Sequence, residues 1–170
     1  MRKLLLIMLL AAFAHAIGMW EIKTYAKTSG VKGEFAQTLN SLSIVQIVSS
    51  EGSYRLKNTG ELLLSVRTPL PNELKIANDT VYEDGKRAKI QAPELTILAR
   101  LMRLDHKWLK NRFKIACSGN KKSWEVSLAP LKTAAKTYGN IGIKGAKFVQ
   151  KIEIVLANGE KVTYEFFDSK

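Results

Sequence analysis

From Lys32 onward the chain runs in short stretches of alternating apolar and polar residues, and this alternation limits the fold more than any other feature. Successive side chains of a strand point to opposite faces, so a period of two marks a sheet with one dry face and one wet face. Phe35, Gln37 and Leu39 alternate with Glu34, Ala36 and Thr38; Tyr54 and Leu56 alternate with Ser53, Arg55 and Lys57. Leu62, Leu64 and Val66 do the same against Leu63, Ser65 and Arg67. Ser43 to Ser49 is an apolar, β-branched run containing Ile44, Val45, Ile47 and Val48. Leu74–Ala77, Thr80–Glu83, Phe113–Cys117, Trp124–Leu128, Ile141–Ile143, Lys147–Leu156 and Lys161–Phe167 complete the set, with Phe148, Ile152, Ile154 and Leu156 opposing Lys147, Lys151 and Glu153. The connections are short, and Asn158-Gly159 between two such runs is the strongest hairpin signal. About nine to eleven antiparallel strands are expected.

Three segments break the strand rhythm. Met19 to Lys27 reads as a short helix carrying Trp20 and Tyr25, ended by Ser29-Gly30. Pro93-Glu94 opens a second, since proline fits a first turn and an acid suits its positive end. Leu95, Leu98, Leu101, Met102, Trp108 and Leu109 fall near one stripe there, with Arg100, Arg103, Lys107 and Lys110 on the remainder. Such a stripe either packs on a core or covers a ligand cavity, and periodicity does not separate the two. Lys132 to Tyr138 reads as a helical turn.

The N-terminus has a different purpose. Arg2-Lys3, the unbroken apolar run Leu4–Phe13 and the small residues Ala14 and Ala16 form the pattern of a cleavable secretory signal, too short to span a bilayer. Residues 1–16 are read as the signal, cleaved after Ala16, and 17–170 as one domain. No second long apolar segment follows, and no Cys sits at the cleavage point to be lipidated. A soluble exported protein is expected, periplasmic in a Gram-negative host. The one Cys of the chain, Cys117, forms no disulfide framework and reads as a small buried hydrophobe on a strand.

Chemistry is sparse. Once the signal is gone His106 is the only histidine, and no Gly-x-Ser-x-Gly elbow supplies a nucleophile. Neither a His or Cys metal cluster nor a phosphate-cradling glycine loop is present in the sequence, and Asp79, Glu83 and Asp84 read as turn and strand-end acids. The expectation is a protein that is not an enzyme and holds no cofactor or metal. The whole chain carries 27 Lys+Arg against 15 Asp+Glu, a net charge of +12, of which Arg2 and Lys3 contribute two. The surplus is spread along the sequence rather than gathered in one tract. Export disfavours nucleic acid, leaving anionic membrane surfaces or acidic proteins as partners for such a charge. Lys107-Trp108-Leu109-Lys110-Asn111-Arg112 reads either as a solvated face or as a contact for lipid headgroups.

These elements make an α+β protein, mainly β: a single curved antiparallel sheet or incomplete barrel with a helical lid. The apolar strand residues exceed what one ordinary sheet face demands. A helix over the concave side would enclose an apolar cavity, which suits acyl chains at about 0.8 kcal/mol per buried CH₂. Expected to line it are Tyr54, Leu56, Leu62, Leu64 and Val66, then Phe148, Ile152 and Ile154, with Leu98, Leu101 and Met102 on the lid.

The order of segments over about residues 19–168 resembles the LolA-like outer-membrane lipoprotein carriers. Gly33-Glu34-Phe35-Ala36-Gln37 is similar to that family's Phe-x-Gln strand, and Ser50–Lys57 to its Gly-x-Leu strand. Gly60–Leu64 followed by Thr68-Pro69, the helix from Pro93, Trp124–Pro130 as Trp-x-Val-x-Leu-x-Pro, and Ala157–Phe166 as the closing turn and strand come in the family's order. The resemblance implies a monomeric periplasmic carrier of acylated lipoproteins or similar lipid cargo, loaded by an inner-membrane release complex and unloaded by an outer-membrane acceptor. A periplasmic binding module for another hydrophobic ligand, such as a glycolipid or envelope-polymer precursor, is the alternative. Two positions depart from the family: Leu64 stands where an aromatic is common, and Asn58 stands where an arginine often holds the lid closed. Arg55 or Arg67 is the expected substitute.

Overall fold

The computed structural model describes residues 16–41 and 47–168. Apart from Ala16, the signal-peptide reading lies outside the described residues, as do Ile44 and Val45. The described residues form eleven strands: β1 (Val31–Asn40), β2 (Ile47–Leu56), β3 (Leu62–Thr68), β4 (Asn72–Ala77), β5 (Thr80–Glu83), β6 (Lys86–Arg87), β7 (Phe113–Asn120), β8 (Ser123–Pro130), β9 (Tyr138–Gly145), β10 (Val149–Leu156) and β11 (Lys161–Asp168); all but β6 grow from the apolar runs of the sequence, and β2 joins two of them. They form one antiparallel sheet in the order β6-β5-β4-β3-β2-β1-β11-β10-β9-β8-β7. The sheet is two meanders joined at its centre, where the first strand pairs with the last and Phe35 faces Phe166.

Register keeps the apolar residues on one face across the whole sheet. Leu62 lies opposite both Leu56 and Ile76, and Tyr54 opposite Leu64. Ile152 lies opposite both Tyr164 and Ile143, and Ile143 opposite Val126. A slip of one residue would turn each of these side chains to water, so burial fixes the pairing. The dry face has two glycine positions under aromatic rings. Gly52 sits opposite Phe35 and Gly33 opposite Tyr54, and an added Cβ would run into neighbouring backbone at both.

The strands at the two ends of that order, β6 and β7, are consecutive in the chain. What connects them therefore has to cross the sheet from one edge to the other. That crossover contains α2 (Pro93–Met102) and α3 (His106–Leu109). Helix α2 touches β4, β5 and β10. On a flat sheet β4 and β10 would stand about 24 Å apart, at roughly 4.8 Å per strand. A helix only about 10–12 Å across reaches both only if the sheet curls around it. Since β6 and β7 do not pair, the curl stays open: an incomplete barrel, as expected.

The apolar stripe from Leu95 to Leu109 is not one helix. Leu104 adopts φ 47°, which ends α2, and Asp105 then caps α3 by accepting from the Trp108 backbone N–H at 3.3 Å. A left-handed leucine costs about 1–2 kcal/mol. Complete burial of its side chain, a gain of about 1.5–3 kcal/mol, offsets that. The first helix, α1 (Met19–Tyr25), buries Met19 and Ile22 and is tied at both ends. Ala16 bridges Ser118 on the β7 edge, and the Lys27 N–H donates to the Lys147 carbonyl at 2.7 Å. The helical turn expected after Lys132 is a 3₁₀ turn, Ala134–Lys136.

Candidate ligand-binding interior

The floor of the interior is the dry face of the sheet, and its roof is α2. Leu62, Ile152, Ile154, Leu98 and Leu101 are fully buried, and Tyr54, Leu56, Leu64 and Met102 nearly so; all belong to one apolar cluster. Side chains fill the space between roof and floor, so the expected lining residues are packed against one another. Two of the eleven sit differently. Val66, opposite Gly52 beside a register shift in β2, is partly buried at the margin. Phe148 precedes β10 and packs on the margin too, because a bulge between Val149 and Lys151 turns Val149 inward in its place. The alternation of Phe148 with Ile152 and Ile154 is thus corrected at its first member.

Sequence reasoning passed over the aromatic centre of this interior. Tyr164 and Phe166, on β11 beside the central strand β1, stack with centroids 6.2 Å apart, and Tyr54 meets Phe166 edge-on at 5.0 Å. Their period-two pattern was visible, but the pairing of the last strand with the first, which puts them in the middle, was not. The hydroxyls of Tyr54 and Tyr164 are buried and have no hydrogen-bond partner among the described residues. Burial pushes the Tyr54 phenol up to about 12, and the fully buried Tyr164 phenol well above its ordinary value. Both are neutral hydrogen-bond donors. An unpaired buried hydroxyl costs about 1–3 kcal/mol, so this interior is apolar but not self-satisfied. Glu94, in the first turn of α2, is the nearby acid; burial raises its pKa.

Polar contacts hold the crossover at its ends. Before α2, the Gln91 side chain accepts from the Val81 N–H at 2.7 Å and donates to the Val81 and Ala88 carbonyls. At the start of α2 the Tyr138 hydroxyl donates to the Pro93 carbonyl at 3.0 Å. Beyond the middle of the helix, Arg100 pairs with Asp79 in the β4–β5 turn at 2.8 Å and with Asp105 at 2.7 Å. Arg103 lies 3.4 Å from Asp105 and covers Gly60 in the β2–β3 turn. Gly60 has φ 90°, and a Cβ there would collide with that guanidinium. A cleft of about 290 Å³ opens beside this latch, walled by Gly60, Asn78, Asp79 and Arg100. Burial pulls the Asp105 carboxyl upward, but hydrogen bonds from Arg100 and the Trp108 N–H, with the Arg100 and Arg103 charges, outweigh it and hold it below its ordinary value. The Asp79 bond chiefly raises Arg100.

The arginines that fasten the lid therefore come from the lid itself. The expected substitutes do not take part: Arg67 is exposed and pairs with Glu34 across the wet face, and Arg55 is exposed. Asp79, read from sequence as an ordinary turn acid, is a latch residue, and no sequence signal links it to an arginine 21 positions away. His106 is exposed at the start of α3 and Cys117 is half-buried on β7, where burial pushes its thiol up. Among the described residues no group of three His, Cys, Asp or Glu could hold a metal ion, and no helix is long and apolar enough to cross a membrane.

No protein-family model matches the sequence, and no curated protein does. Solved structures that match include the Pseudomonas aeruginosa MucA/MucB complex, with TM-score 0.47 and 10% identity, over 88% of this chain and 55% of that one. MucB in complex with MucA(peri) gives TM-score 0.44 and 12% identity, over 88% and 53%. LprF from Mycobacterium bovis gives 0.40 and 12%, over 88% and 89%. The chain spans about half the length of the first two.

Proposed function

We propose that the protein is a periplasmic carrier that takes the acyl chains of lipoproteins between its sheet and its lid and moves them from the inner to the outer membrane. The observation that carries this reading is the pair of unpartnered tyrosine hydroxyls in an otherwise apolar interior. A core built only for stability has no use for them, whereas an acyl ligand brings ester or amide carbonyls that accept from both. Entry requires α2 to lift. Its contacts with the sheet floor are apolar, so an acyl chain replaces them in kind, and only the fastenings at its ends need to break. The resemblance in segment order to LolA-like carriers supports the same reading, and it supplies lipoproteins as the cargo and the two membranes as start and finish. The chain acts by binding alone, without a catalytic step.

The test is purification from a periplasmic fraction and mass spectrometry of what comes with the protein. Co-purifying triacylated lipoprotein supports the carrier, a glycolipid replaces its cargo, and no lipid of any kind counts against the interior as a site. Leu62→Asp puts a charge on the floor beneath the lid and is expected to abolish lipid uptake. A folded Leu62→Asp protein that still takes up lipid rejects this site.

A further inference from the structure

Counted by structural element, the positive charge is far from even. Residues 106–152, which make α3, β7, β8, β9 and the start of β10, hold eleven Lys or Arg against the single acid Glu125. That is a net +10 from under a third of the chain, and the rest of residues 17–170 is balanced. The expectation of an even spread is thus corrected: the surplus lies in one contiguous stretch, which the fold sets together as one wing of the sheet.

At one end of the wing the charges surround apolar surface. Phe113 at the start of β7 pairs with Pro130 at the end of β8, and the Leu131 N–H donates to the Arg112 carbonyl at 2.8 Å. These contacts bring α3 together with the segment from Leu131 through the 3₁₀ turn. Lys107, Lys110, Arg112, Lys114, Lys132 and Lys136 are all exposed there. Among the described residues none of the six makes an ion pair with an acid. Of the nearby acids, Asp105 is already held by Arg100 and Arg103, and Glu153, which shares a cleft with Lys114, by Lys151 and Lys161. Leu131 is 44% exposed. The Trp108 ring is partly buried, with the Arg112 guanidinium 4.0 Å above it.

We propose that this end of the molecule docks on an anionic lipid bilayer. Flexible lysines around a tryptophan and an exposed leucine match a bilayer surface, where phosphates lie above an apolar layer and indole rings settle at headgroup depth. An acidic protein would match the charge but has no use for the exposed leucine. Because α3 follows directly from α2, docking here sets the lid next to the headgroups. The inference does not depend on what the interior carries, since it is read without any transfer of lipid.

The experiment is flotation of residues 17–170 with phosphatidylglycerol-containing vesicles and with pure phosphatidylcholine vesicles, across a salt series. Binding to the anionic vesicles alone, weakening with salt, is expected. Each charge removed near the surface should cost roughly fivefold in affinity, so Lys107→Gln, Lys110→Gln and Lys132→Gln together should cost about 100-fold. Leu131→Ser should weaken binding with the salt slope unchanged. Lys121→Gln with Lys122→Gln, at the opposite end of β7 and β8, should leave binding as it is. Equal binding to both vesicle types, or equal losses from the two sets of lysines, overturns the proposal. Binding to polyglutamate but not to vesicles overturns it in favour of an acidic protein. Circular dichroism of each variant separates lost binding from lost fold.

Discussion

Two oxygen atoms, the hydroxyls of Tyr54 and Tyr164, distinguish the centre of this protein from an ordinary core. Tyr164 sits where phenylalanine would pack equally well, beside the central strand and under the lid, and its hydroxyl has no partner among the described residues. Tyr164→Phe should therefore raise stability by about 1 kcal/mol in urea denaturation, because an unmet desolvation cost disappears. If the hydroxyl serves a ligand, the same variant should hold an acyl ester more weakly. A variant that is destabilised instead would mean the hydroxyl is already satisfied. Leu62→Ala, which removes a fully buried side chain facing both Leu56 and Ile76, should cost about 2–5 kcal/mol. At this scale the burial of the expected lining residues was legible in the sequence. Nine of the eleven expected residues lie well inside the apolar cluster, since alternation says which side chains share a face. Phe148 went astray because a bulge breaks the period, and no residue type announces a bulge there.

At the scale of the element, the crossover is fastened by charge and by backbone carbonyls, and its fastenings respond to different conditions. Asp79→Asn weakens the Arg100 contact without changing shape, and amide exchange in the second half of α2 should then quicken while β10 and β11 stay protected. The Asp105 carboxyl has a folded-state pKa below its ordinary 3.8. Its stabilising contribution is therefore complete above that value and is lost as pH falls through the depressed one. Exchange in α2 and α3 should accelerate in that acid window, and Asp105→Asn should remove the pH step. Most strands and both ends of the lid segment could be read from the sequence with small errors at their boundaries, but the short β6 was missed, and the run ending at Ser49 and the run of Tyr54 and Leu56 are one continuous strand, β2. The break at Leu104 could not, because the helical stripe continues through it and only tertiary burial of Leu104 favours the reversal. Nor could the source of the fastening arginines, which depends on which turns the curl brings under α2.

For the whole molecule, the order of strands settles what local pattern left open. Alternation predicts an antiparallel meander but not that the first and last strands meet at its centre, and that pairing places the edges at β6 and β7. Charge belongs to this scale too: the surplus sits in the one stretch 106–152, and the strand order sets that stretch apart as one wing of the sheet. An acyl ligand that binds only the folded state should raise the melting temperature as its concentration rises, adding about 2.7 kcal/mol of stability at a hundredfold excess over its dissociation constant. The open curl also governs how the sheet can give way. A closed hoop of strands can widen only by snapping ladder bonds somewhere on its circumference. A hoop with a gap widens like a spring clip, each ladder flexing slightly and none parting. Here, among the described residues, the gap between β6 and β7 is spanned by the chain that forms the lid, so any spreading of the two edges pulls on that same segment.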